Sequence, residues 1–301
     1  MNDSVKKMLE NTFGKRVVFD TSAKDFTTFK TGGPLSAVVF PSRKEEIEFL
    51  FELEKKGTEV KFIGRGSNLL ISDHGFDGVI AATGKLSDVC LYENFVSGYC
   101  GTKISSLIGF CIMRSRGGLE FLSGIPGTIG GALINNAGIK ETNISDVVEQ
   151  IQYMDKGGNW IRSNKIEIAW NYRYSQLKEK AFFVLSCTLR TERNNREKIK
   201  ENISAILKQR KEKQPLEYPS AGSVFKNPEG LFAGKLIEEA GLKGSRIGGA
   251  MISEKHANFI INTGNASSLD IWNLMKFIQE KVNNRYNILL KPEIELIGRF
   301  P

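Results

Sequence analysis

The chain has 301 residues, of which 41% are hydrophobic, and a formal net charge of +8. This length is enough for a large core divided over two or three domains. Its apolar runs are much shorter than a membrane span, and its first residues lack the apolar core of a secretory signal. We therefore expect a cytoplasmic protein, whose positive charge suits either a nucleic acid or a small polyanion.

Few side chains are available for metal binding or thiol chemistry. The histidines are His74 and His256, which excludes a histidine-rich site and predicts no bound metal. The cysteines form no C-x-x-C pair and lie in apolar settings, so we expect buried thiols. They are Cys90, Cys100, Cys111 and Cys187.

The first third of the chain alternates between strand and helix patterns, which is typical of an α/β or α+β domain. The predicted elements are a strand over 36–40, a helix that Gly57 ends, and a strand over 59–63 that leads into the loop 64–68. We predict that Ser42 caps the helix, because Glu45 follows three residues later.

The rest of the chain continues the mixed pattern. We predict helices over 103–116, 233–240 and 268–284, a hairpin of 147–154 and 159–162, and strands over 181–189, 258–262 and 293–297. Residues 191–213 are mostly polar and favour a helix ending before Pro215. Within 196–213, seven Lys or Arg against three Glu give a local charge of +4. This is typical of a solvated helix face at a domain junction.

The loop 64–68 reads Gly-Arg-Gly-Ser-Asn and follows a predicted strand. Glycine lets a backbone approach closely, so successive N–H groups can surround one anion. The loop is not a Rossmann fingerprint, because its sixth position is Leu69 and strand-like residues follow. By itself it predicts a tight structural turn as readily as an anion site.

A second glycine-rich loop is more informative. Residues 123–138 contain five glycines and one proline. So much glycine costs conformational entropy, which indicates that something requires it. A pyrophosphate lying against bare backbone is one explanation, and close helix–strand packing is the other.

The segment 222–228 places Ser223 between a glycine and the apolar pair Val224 and Phe225. The apolar side chains can fix the hydroxyl, while Lys226 and Asn227 offer a cation and an amide nearby. With the two glycine loops, this predicts an enzyme that holds a large phosphorylated cofactor and a second polar substrate.

Seven motifs occur together in this chain. They are Phe29-Lys-Thr-Gly-Gly33, Gly64-Arg-Gly-Ser-Asn-Leu-Leu70, Gly124-Ile-Pro-Gly-Thr-Ile-Gly-Gly131, Asn136-Ala-Gly138, Tyr172-Arg-Tyr-Ser175, Gly222-Ser-Val-Phe-Lys-Asn-Pro228 and Lys255-His-Ala-Asn-Phe259. In this order they resemble the UDP-N-acetylenolpyruvoylglucosamine reductase family over nearly the whole chain. The resemblance implies an α+β fold: a vanillyl-alcohol-oxidase-type (PCMH-like) FAD-binding region over 1–195, in lobes of about 1–80 and 81–195, and a smaller α+β substrate-binding domain over 196–301.

The resemblance also implies a reaction. UDP-N-acetylglucosamine enolpyruvate is reduced to UDP-N-acetylmuramate by NADPH through non-covalent FAD, in peptidoglycan precursor synthesis. Three catalytic residues are implied: Arg173 pairs with the substrate carboxylate, Ser223 protonates carbon, and Glu293 helps to stabilise the enol.

Two groups of binding residues are expected from the same resemblance. Cofactor contacts are Gly64, Arg65, Gly66, Ser67, Asn68, Leu69, Ser123, Gly124, Ile125, Pro126, Gly127, Thr128, Gly130, Gly131, Ala132, Asn136, Ala137, Gly138 and Arg210. Substrate contacts are Tyr172, Lys226, Asn227, His256 and Asn258, with Tyr218 as a candidate to stack on uracil. The implied partners are the UDP-sugar and NADPH, with no nucleic acid or membrane, and we expect a monomer.

The sequence departs from the family pattern at two places, and two alternative functions stay open. Glu295 stands where the family commonly has arginine, and Ile139-Lys140-Glu141 replaces its usual aromatic-glycine pair. A related flavoenzyme of the same fold is one alternative, with His74 as a covalent flavin tether. A basic nucleic-acid-binding protein is the other, and its binding would weaken steeply with salt.

Overall fold

The computed structural model describes residues 1–139 and 141–301, so the departure at Lys140 lies outside the described residues. The chain forms two compact units, each assembled from separate segments. The first unit contains Met1–Val18, Val38–Arg65 and Gly78–Arg210, and the second contains Phe19–Ala37, Gly66–Asp77 and Lys211–Pro301. The regions predicted over 1–195 and 196–301 are contiguous, whereas these units interleave in the first third of the chain.

The described residues form helices and strands in a mixed order. The helices are α1 (Asp3–Phe13), α2 (Lys44–Lys55), α3 (Ile104–Met113), α4 (Ile129–Ile134), α5 (Leu177–Lys180), α6 (Arg196–Lys213), α7 (Ala233–Glu239) and α8 (Ser268–Tyr286). The strands are β1 (Val17–Ser22), β2 (Pro34–Val39), β3 (Val60–Ile63), β4 (Leu69–Ile71), β5 (Phe76–Ala82), β6 (Val89–Tyr92), β7 (Phe95–Tyr99), β8 (Arg116–Gly117), β9 (Val148–Asp155), β10 (Trp160–Asn164), β11 (Trp170–Asn171), β12 (Tyr174–Ser175), β13 (Ala181–Arg190), β14 (Glu192–Arg193), β15 (Arg246–Ile247), β16 (Ala250–Ile252), β17 (Ile260–Asn262) and β18 (Glu295–Ile297).

The sheets are mostly small. A five-stranded antiparallel sheet in the first unit has the order β10-β9-β13-β7-β6, and another sheet has the order β1-β2-β5-β3. In the second unit, β15-β16-β17 is antiparallel and β4 pairs with β18 in parallel. Apolar side chains from α3, α4 and β13 form one core, and side chains from α7, α8, β16 and β17 form another.

Most predicted elements are confirmed, with one wrong cap and one helix end displaced. The prediction that Ser42 caps α2 is wrong: Arg43 is the N-cap residue and makes no side-chain cap bond. Glu46 instead accepts the Ser42 N–H at 2.7 Å. Helix α3 ends at Met113 rather than at 116, because Ser115 has a left-handed φ of 53° and β8 follows.

Glu46 lies at the centre of a buried ion-pair network in the first unit. Its side chain is 1% exposed and accepts Arg16 Nη1 at 2.7 Å and Arg43 Nε at 3.1 Å. Burial alone would raise the pKa of Glu46, but the hydrogen bonds from Arg16, Ser42 and Arg43 outweigh it and lower this pKa to about 2. The network therefore stabilises the fold only while Glu46 is ionised.

We expect Arg16→Ala to lower the free energy of unfolding at pH 7 by about 3 kcal/mol, because it leaves a buried carboxylate without its main partner. The Glu46 pKa is depressed in the folded state, so its contribution is present above the unfolded-state pKa and is lost as pH falls towards 2. Urea unfolding should therefore show a smaller difference from wild type at pH 3. Lys200→Ala, which removes an exposed ion pair with Glu197, is the control and should leave the free energy of unfolding nearly unchanged. An equal loss in both variants would contradict the prediction.

The cysteine prediction is confirmed at three positions and wrong at one. Cys100, Cys111 and Cys187 are buried, and Cys90 is exposed on the edge strand β6. Burial raises the pKa of Cys100 and of Cys111 to about 12 and also raises that of Cys187. Over 1–139 and 141–301, no group of His, Cys, Asp and Glu is arranged to hold a metal ion. In the same ranges, no helix combines the length and apolarity needed to cross a membrane.

Candidate functional site

Packing within the protein explains both glycines of the first loop. In the first unit, a Cβ atom added at Gly64 would lie 2.5 Å from Thr128 Oγ1, so the two predicted loops meet there. In the second unit, Gly66 has a φ of 63° and lies against the Phe26 carbonyl, and its own carbonyl accepts the Thr28 N–H at 3.1 Å. Gly64 is therefore required by contact with the Thr128 side chain, and Gly66 by close approach to the Phe26 backbone.

The second loop divides into glycines that packing explains and one that it does not. A Cβ atom at Gly130 would lie 2.9 Å from Cys100 Cβ, and the Gly130 N–H donates to the Cys100 carbonyl at 2.8 Å. Gly124 and Gly127 have φ values of 75° and 151°, which favour glycine. Gly131 is exposed, and a Cβ atom there would have Thr128 Oγ1 as its nearest neighbour at 3.9 Å. The space beside Gly131 is therefore open.

Buried polar atoms without a partner lie beside this loop. Among the described residues, three buried side-chain atoms lack a hydrogen-bond partner: Arg116 Nε, Ser123 Oγ and Arg210 Nε. Ser123 is 3% exposed, and a Cβ atom at Gly124 would lie 3.0 Å from Arg210 Nε. Buried donors are normally satisfied. A bound anionic group such as a pyrophosphate would satisfy both, so these residues fit the predicted cofactor.

The same region holds two arginines, Arg210 and Arg173. Burial lowers the pKa of Arg210, and repulsion from the Arg173 guanidinium lowers it further. Two neighbouring cations in a partly buried place favour an anion between or beside them. The electrostatics therefore agree with a site for phosphate or carboxylate groups in the first unit.

Arg173 lies in the two-residue turn between β11 and β12. Its φ of 53° is left-handed, an uncommon conformation for arginine. Two contacts fix the turn: Arg173 Nη2 donates to the Gly138 carbonyl at 3.2 Å, and Asn136 Nδ2 donates to the Asn171 carbonyl at 3.0 Å. The 50% exposed ring of Tyr172 lies 5.2 Å from the Arg173 guanidinium carbon. Backbone strain held by surrounding contacts is common at functional sites.

Ser223 and Glu293 are brought close in the second unit. The Glu293 N–H donates to the Val224 carbonyl at 2.7 Å, one residue after Ser223. Asn68 Nδ2 donates to the Glu293 carbonyl at 3.2 Å, and the Asn68 carbonyl accepts the Glu295 N–H at 2.9 Å. Asn68 therefore fixes the segment that carries Glu293, and Glu295 extends from this segment with an exposed side chain.

The predicted substrate contacts in the second unit have different surroundings. Asn227 Oδ1 accepts the Ala233 N–H at 3.0 Å, at the start of α7. His256 is half-buried against Phe259, with ring centroids 4.9 Å apart, and burial lowers its pKa. Asn258 is 4% exposed, and its amide bonds the Phe225 backbone. Sequence patterns gave no signal for this contact, since its partners are 33 residues apart.

The remaining predicted residues are placed as follows. Lys226 is half-buried and its N–H donates to the Lys291 carbonyl, Tyr218 is 44% exposed, and His74 is exposed. Of the other predicted cofactor contacts, Arg65 and Pro126 are exposed, Ser67, Leu69, Ile125 and Ala137 are half-buried, and Ala132 is buried.

Comparison with known proteins covers nearly the whole chain. An FAD binding domain family matches residues 35–164, and the family of the UDP-N-acetylenolpyruvoylglucosamine reductase C-terminal domain matches residues 214–297. A reductase of this name from Caldanaerobacter subterraneus subsp. tengcongensis is 41% identical over 297 residues, covering 98% of this chain and 97% of the relative. One from Caldicellulosiruptor saccharolyticus is 43% identical over 284 residues, covering 93% and 92%.

A solved structure agrees with the sequence comparisons. The crystal structure of UDP-N-acetylenolpyruvylglucosamine reductase from Thermus caldophilus has a TM-score of 0.80 and 31% identity, covering 94% of this chain and 98% of that chain. The predicted α+β fold, with a vanillyl-alcohol-oxidase-type FAD-binding region and a smaller C-terminal domain, is thereby confirmed.

Proposed function

Because the chain belongs to the UDP-N-acetylenolpyruvoylglucosamine reductase family, we propose that it reduces UDP-N-acetylglucosamine enolpyruvate to UDP-N-acetylmuramate in peptidoglycan precursor synthesis, with NADPH as reductant and FAD as cofactor. The resemblance predicted from seven motifs is confirmed by this membership. The structural observation that carries the proposal is the pair of unsatisfied buried atoms, Ser123 Oγ and Arg210 Nε, beside a glycine loop within an FAD-binding family match.

FAD, when bound, would supply the hydride-transfer chemistry between NADPH and the enolpyruvyl substrate. The protein's part in the first unit is to hold the cofactor and one end of the substrate. We propose that the backbone around Gly131, the Ser123 hydroxyl and Arg210 bind the pyrophosphate. Arg173 pairs with the substrate carboxylate and lowers the free energy of the negative charge that develops next to it.

Residues of the second unit are proposed to hold a proton and deliver it to the substrate. We propose that the Ser223 hydroxyl protonates the carbon that becomes negatively charged, and that Glu293 stabilises the enol. A serine is a weak acid in water, so this role requires a fixed position and a polar neighbour. The bond from the Glu293 N–H to the Val224 carbonyl supports the proposal, because it keeps the two residues in adjacent segments.

The other residues are proposed to contact the substrate directly, except Asn227. Lys226 and Tyr172 are proposed to contact the UDP-sugar, and His256 is proposed to line its site. Asn227 acts through the start of α7, since its side-chain oxygen accepts the Ala233 N–H. We also propose a cytoplasmic monomer, and size-exclusion chromatography near 33.6 kDa tests the oligomeric state.

The function is tested by the spectrum and turnover of the purified protein. We expect visible flavin bands, and NADPH oxidation that depends on the enolpyruvyl substrate. After acid precipitation the yellow colour should stay in the supernatant, whereas colour in the pellet would favour a covalent tether such as His74. A colourless protein that binds nucleic acid with a steep salt dependence would reject the proposal.

We expect Gly131→Ala to weaken FAD binding. The structure has open space at this Cβ position, so the fold accommodates the methyl group and a pyrophosphate lying there does not. Unfavourable packing of about 1–3 kcal/mol corresponds to a Kd about 5–150-fold higher, measured by fluorescence titration of apoprotein. Gly109→Ala in α3 is the control, because its Cβ position is likewise open and has no neighbour within 4 Å. Equal FAD affinity in both variants would remove Gly131 from the cofactor site.

A further inference from the structure

Asn258 makes three hydrogen bonds to the two residues that follow Ser223. Its carbonyl accepts the Val224 N–H at 2.9 Å, its Oδ1 accepts the Phe225 N–H at 3.0 Å, and its Nδ2 donates to the Phe225 carbonyl at 2.8 Å. The residue is 4% exposed, and Phe225 is 1% exposed. A single buried side chain therefore satisfies both backbone polar groups of Phe225, which would otherwise be costly to bury.

The opposite side of the same segment is also bonded. The Val224 carbonyl accepts the Glu293 N–H at 2.7 Å, and the Lys226 N–H donates to the Lys291 carbonyl at 2.9 Å. Residues 224–226 therefore lie between two neighbouring segments, with Asn258 on one side and residues 291–293 on the other. On the N-terminal side of Ser223, Gly222 has a φ of 76° and open space at its Cβ position. Ser223 itself forms an isolated antiparallel bridge with Phe259. The position of Ser223 therefore depends on this bridge and on the anchors that follow it.

Asn258 is itself held in place. Its N–H donates to His256 Nδ1 at 3.2 Å, and the Phe259 N–H donates to the His256 carbonyl at 2.9 Å. We propose that Asn258 is a positioning residue, which holds the Ser223 hydroxyl where it can protonate the substrate and does not itself bind substrate. This inference rests on the proposed function of Ser223, and it revises the expectation that Asn258 contacts the UDP-sugar.

The chemistry of the amide suggests a selective test. An amide donates one hydrogen bond and accepts another at the same time, whereas a carboxylate can only accept. Asn258→Asp therefore keeps the size and loses the bond to the Phe225 carbonyl. Protonation of the new carboxyl group restores a donor, and burial beside a carbonyl oxygen favours that neutral form. The defect should consequently diminish as pH falls.

The experiment compares Asn258→Asp with wild type from pH 8 to pH 6. In stopped-flow measurements, reduction of the bound flavin by NADPH should be unchanged, and its reoxidation by substrate should be about 10–100-fold slower at pH 8. Reoxidation should approach the wild-type rate at pH 6. His256, Glu293 and Lys226 lie near this segment in both proteins, so dividing by the wild-type rate at each pH removes their contribution. Hydrogen exchange of peptides covering residues 223–226 should be about 10-fold faster at pH 8.

Asn262→Asp is the matched control. Asn262 is also 4% exposed, and its Nδ2 donates to the Phe29 carbonyl at 2.9 Å, but its side chain makes no bond to residues 223–225 among those the structure describes. It should lower the melting temperature without slowing reoxidation selectively. Asn258→Leu covers the case in which the charged variant fails to fold at pH 8. It removes both side-chain bonds without adding charge and should be slow at every pH.

Several results overturn the inference. They are equal slowing in Asn262→Asp, slowing of both half-reactions in Asn258→Asp, a defect that does not diminish towards pH 6, or unchanged hydrogen exchange. Wild-type protein that binds flavin but does not reduce the enolpyruvyl substrate rejects the proposed function instead. In that case hydrogen exchange still decides whether Asn258 fixes residues 223–226, and the role in positioning a proton donor is rejected with the function.

Discussion

We expect the replacement of Ser223 by alanine to slow reduction of the enolpyruvyl substrate by at least about 100-fold, the scale for losing a positioned acid. The variant should retain its fold and FAD, because it removes one hydroxyl group and leaves the buried neighbours Val224 and Phe225 in place. NADPH should still reduce the bound flavin at nearly the wild-type rate, since no proton from Ser223 is needed there.

Stopped-flow absorbance of the two half-reactions tests this expectation. Ser223→Cys should recover part of the activity, because a thiol can also donate a proton. Ser220→Ala, three residues earlier, is the control and should leave both half-reactions unchanged. Substrate-dependent reoxidation at the wild-type rate in Ser223→Ala would assign the proton to another donor, such as Glu293 or a bound water.

The second large effect is expected at Arg173, where activity and stability should respond in different directions. Arg173→Gly removes the guanidinium that we propose pairs with the substrate carboxylate, so kcat/KM should fall by at least about 100-fold. The melting temperature should not fall, because glycine adopts the left-handed φ of 53° without the steric cost that arginine bears, and this relief offsets the lost bond to the Gly138 carbonyl. Arg173→Lys keeps the charge and should recover only part of the activity, since ammonium lacks the forked geometry.

Glu93→Gly provides the backbone control for this variant. Glu93 has a φ of 51° in the turn between β6 and β7 and has no proposed role in the site. It should match Arg173→Gly in stability and wild type in activity. Near-normal turnover in Arg173→Gly would show that another cation, with Arg210 as the first candidate, binds the carboxylate.

Local elements could be predicted from the sequence because their signals are local. The helix predicted over 268–284 is α8, and its cap at Ser267 with Asp270 is a short-range pattern. The hairpin of β9 and β10 follows from apolar alternation around Asp155-Lys-Gly-Gly158. The Ser42 cap was wrong because Arg16, 30 residues from Glu46 in the chain, fixes that carboxylate in a buried ion pair. A tertiary contact overrode the local signal.

In the candidate site, too, features with a local sequence signal could be predicted and features that depend on distant contacts could not. Ser223 and the glycine loops could be singled out because unusual residues are clustered there. The roles of Asn136 and Asn258 could not, since a buried amide is recognised by its distant partners: Asn171 lies 35 residues from Asn136, and Phe225 lies 33 residues from Asn258. The interleaving of the two units likewise depends on pairings that periodicity does not encode.

The parallel pairing of β4 with β18 has a consequence during protein synthesis. Leu70 and Ile71 in β4 are fully buried in the finished molecule, yet each is translated 226 residues before its partner in β18 (296 − 70 and 297 − 71). At about 5–20 residues per second, β4 waits roughly 10–45 s on the ribosome with an apolar strand unpaired. Over that interval the nascent chain presents a site for chaperones and for intermolecular strand pairing. Slow translation of the last third of the gene should therefore lower the yield of folded enzyme more than slow translation of the first third.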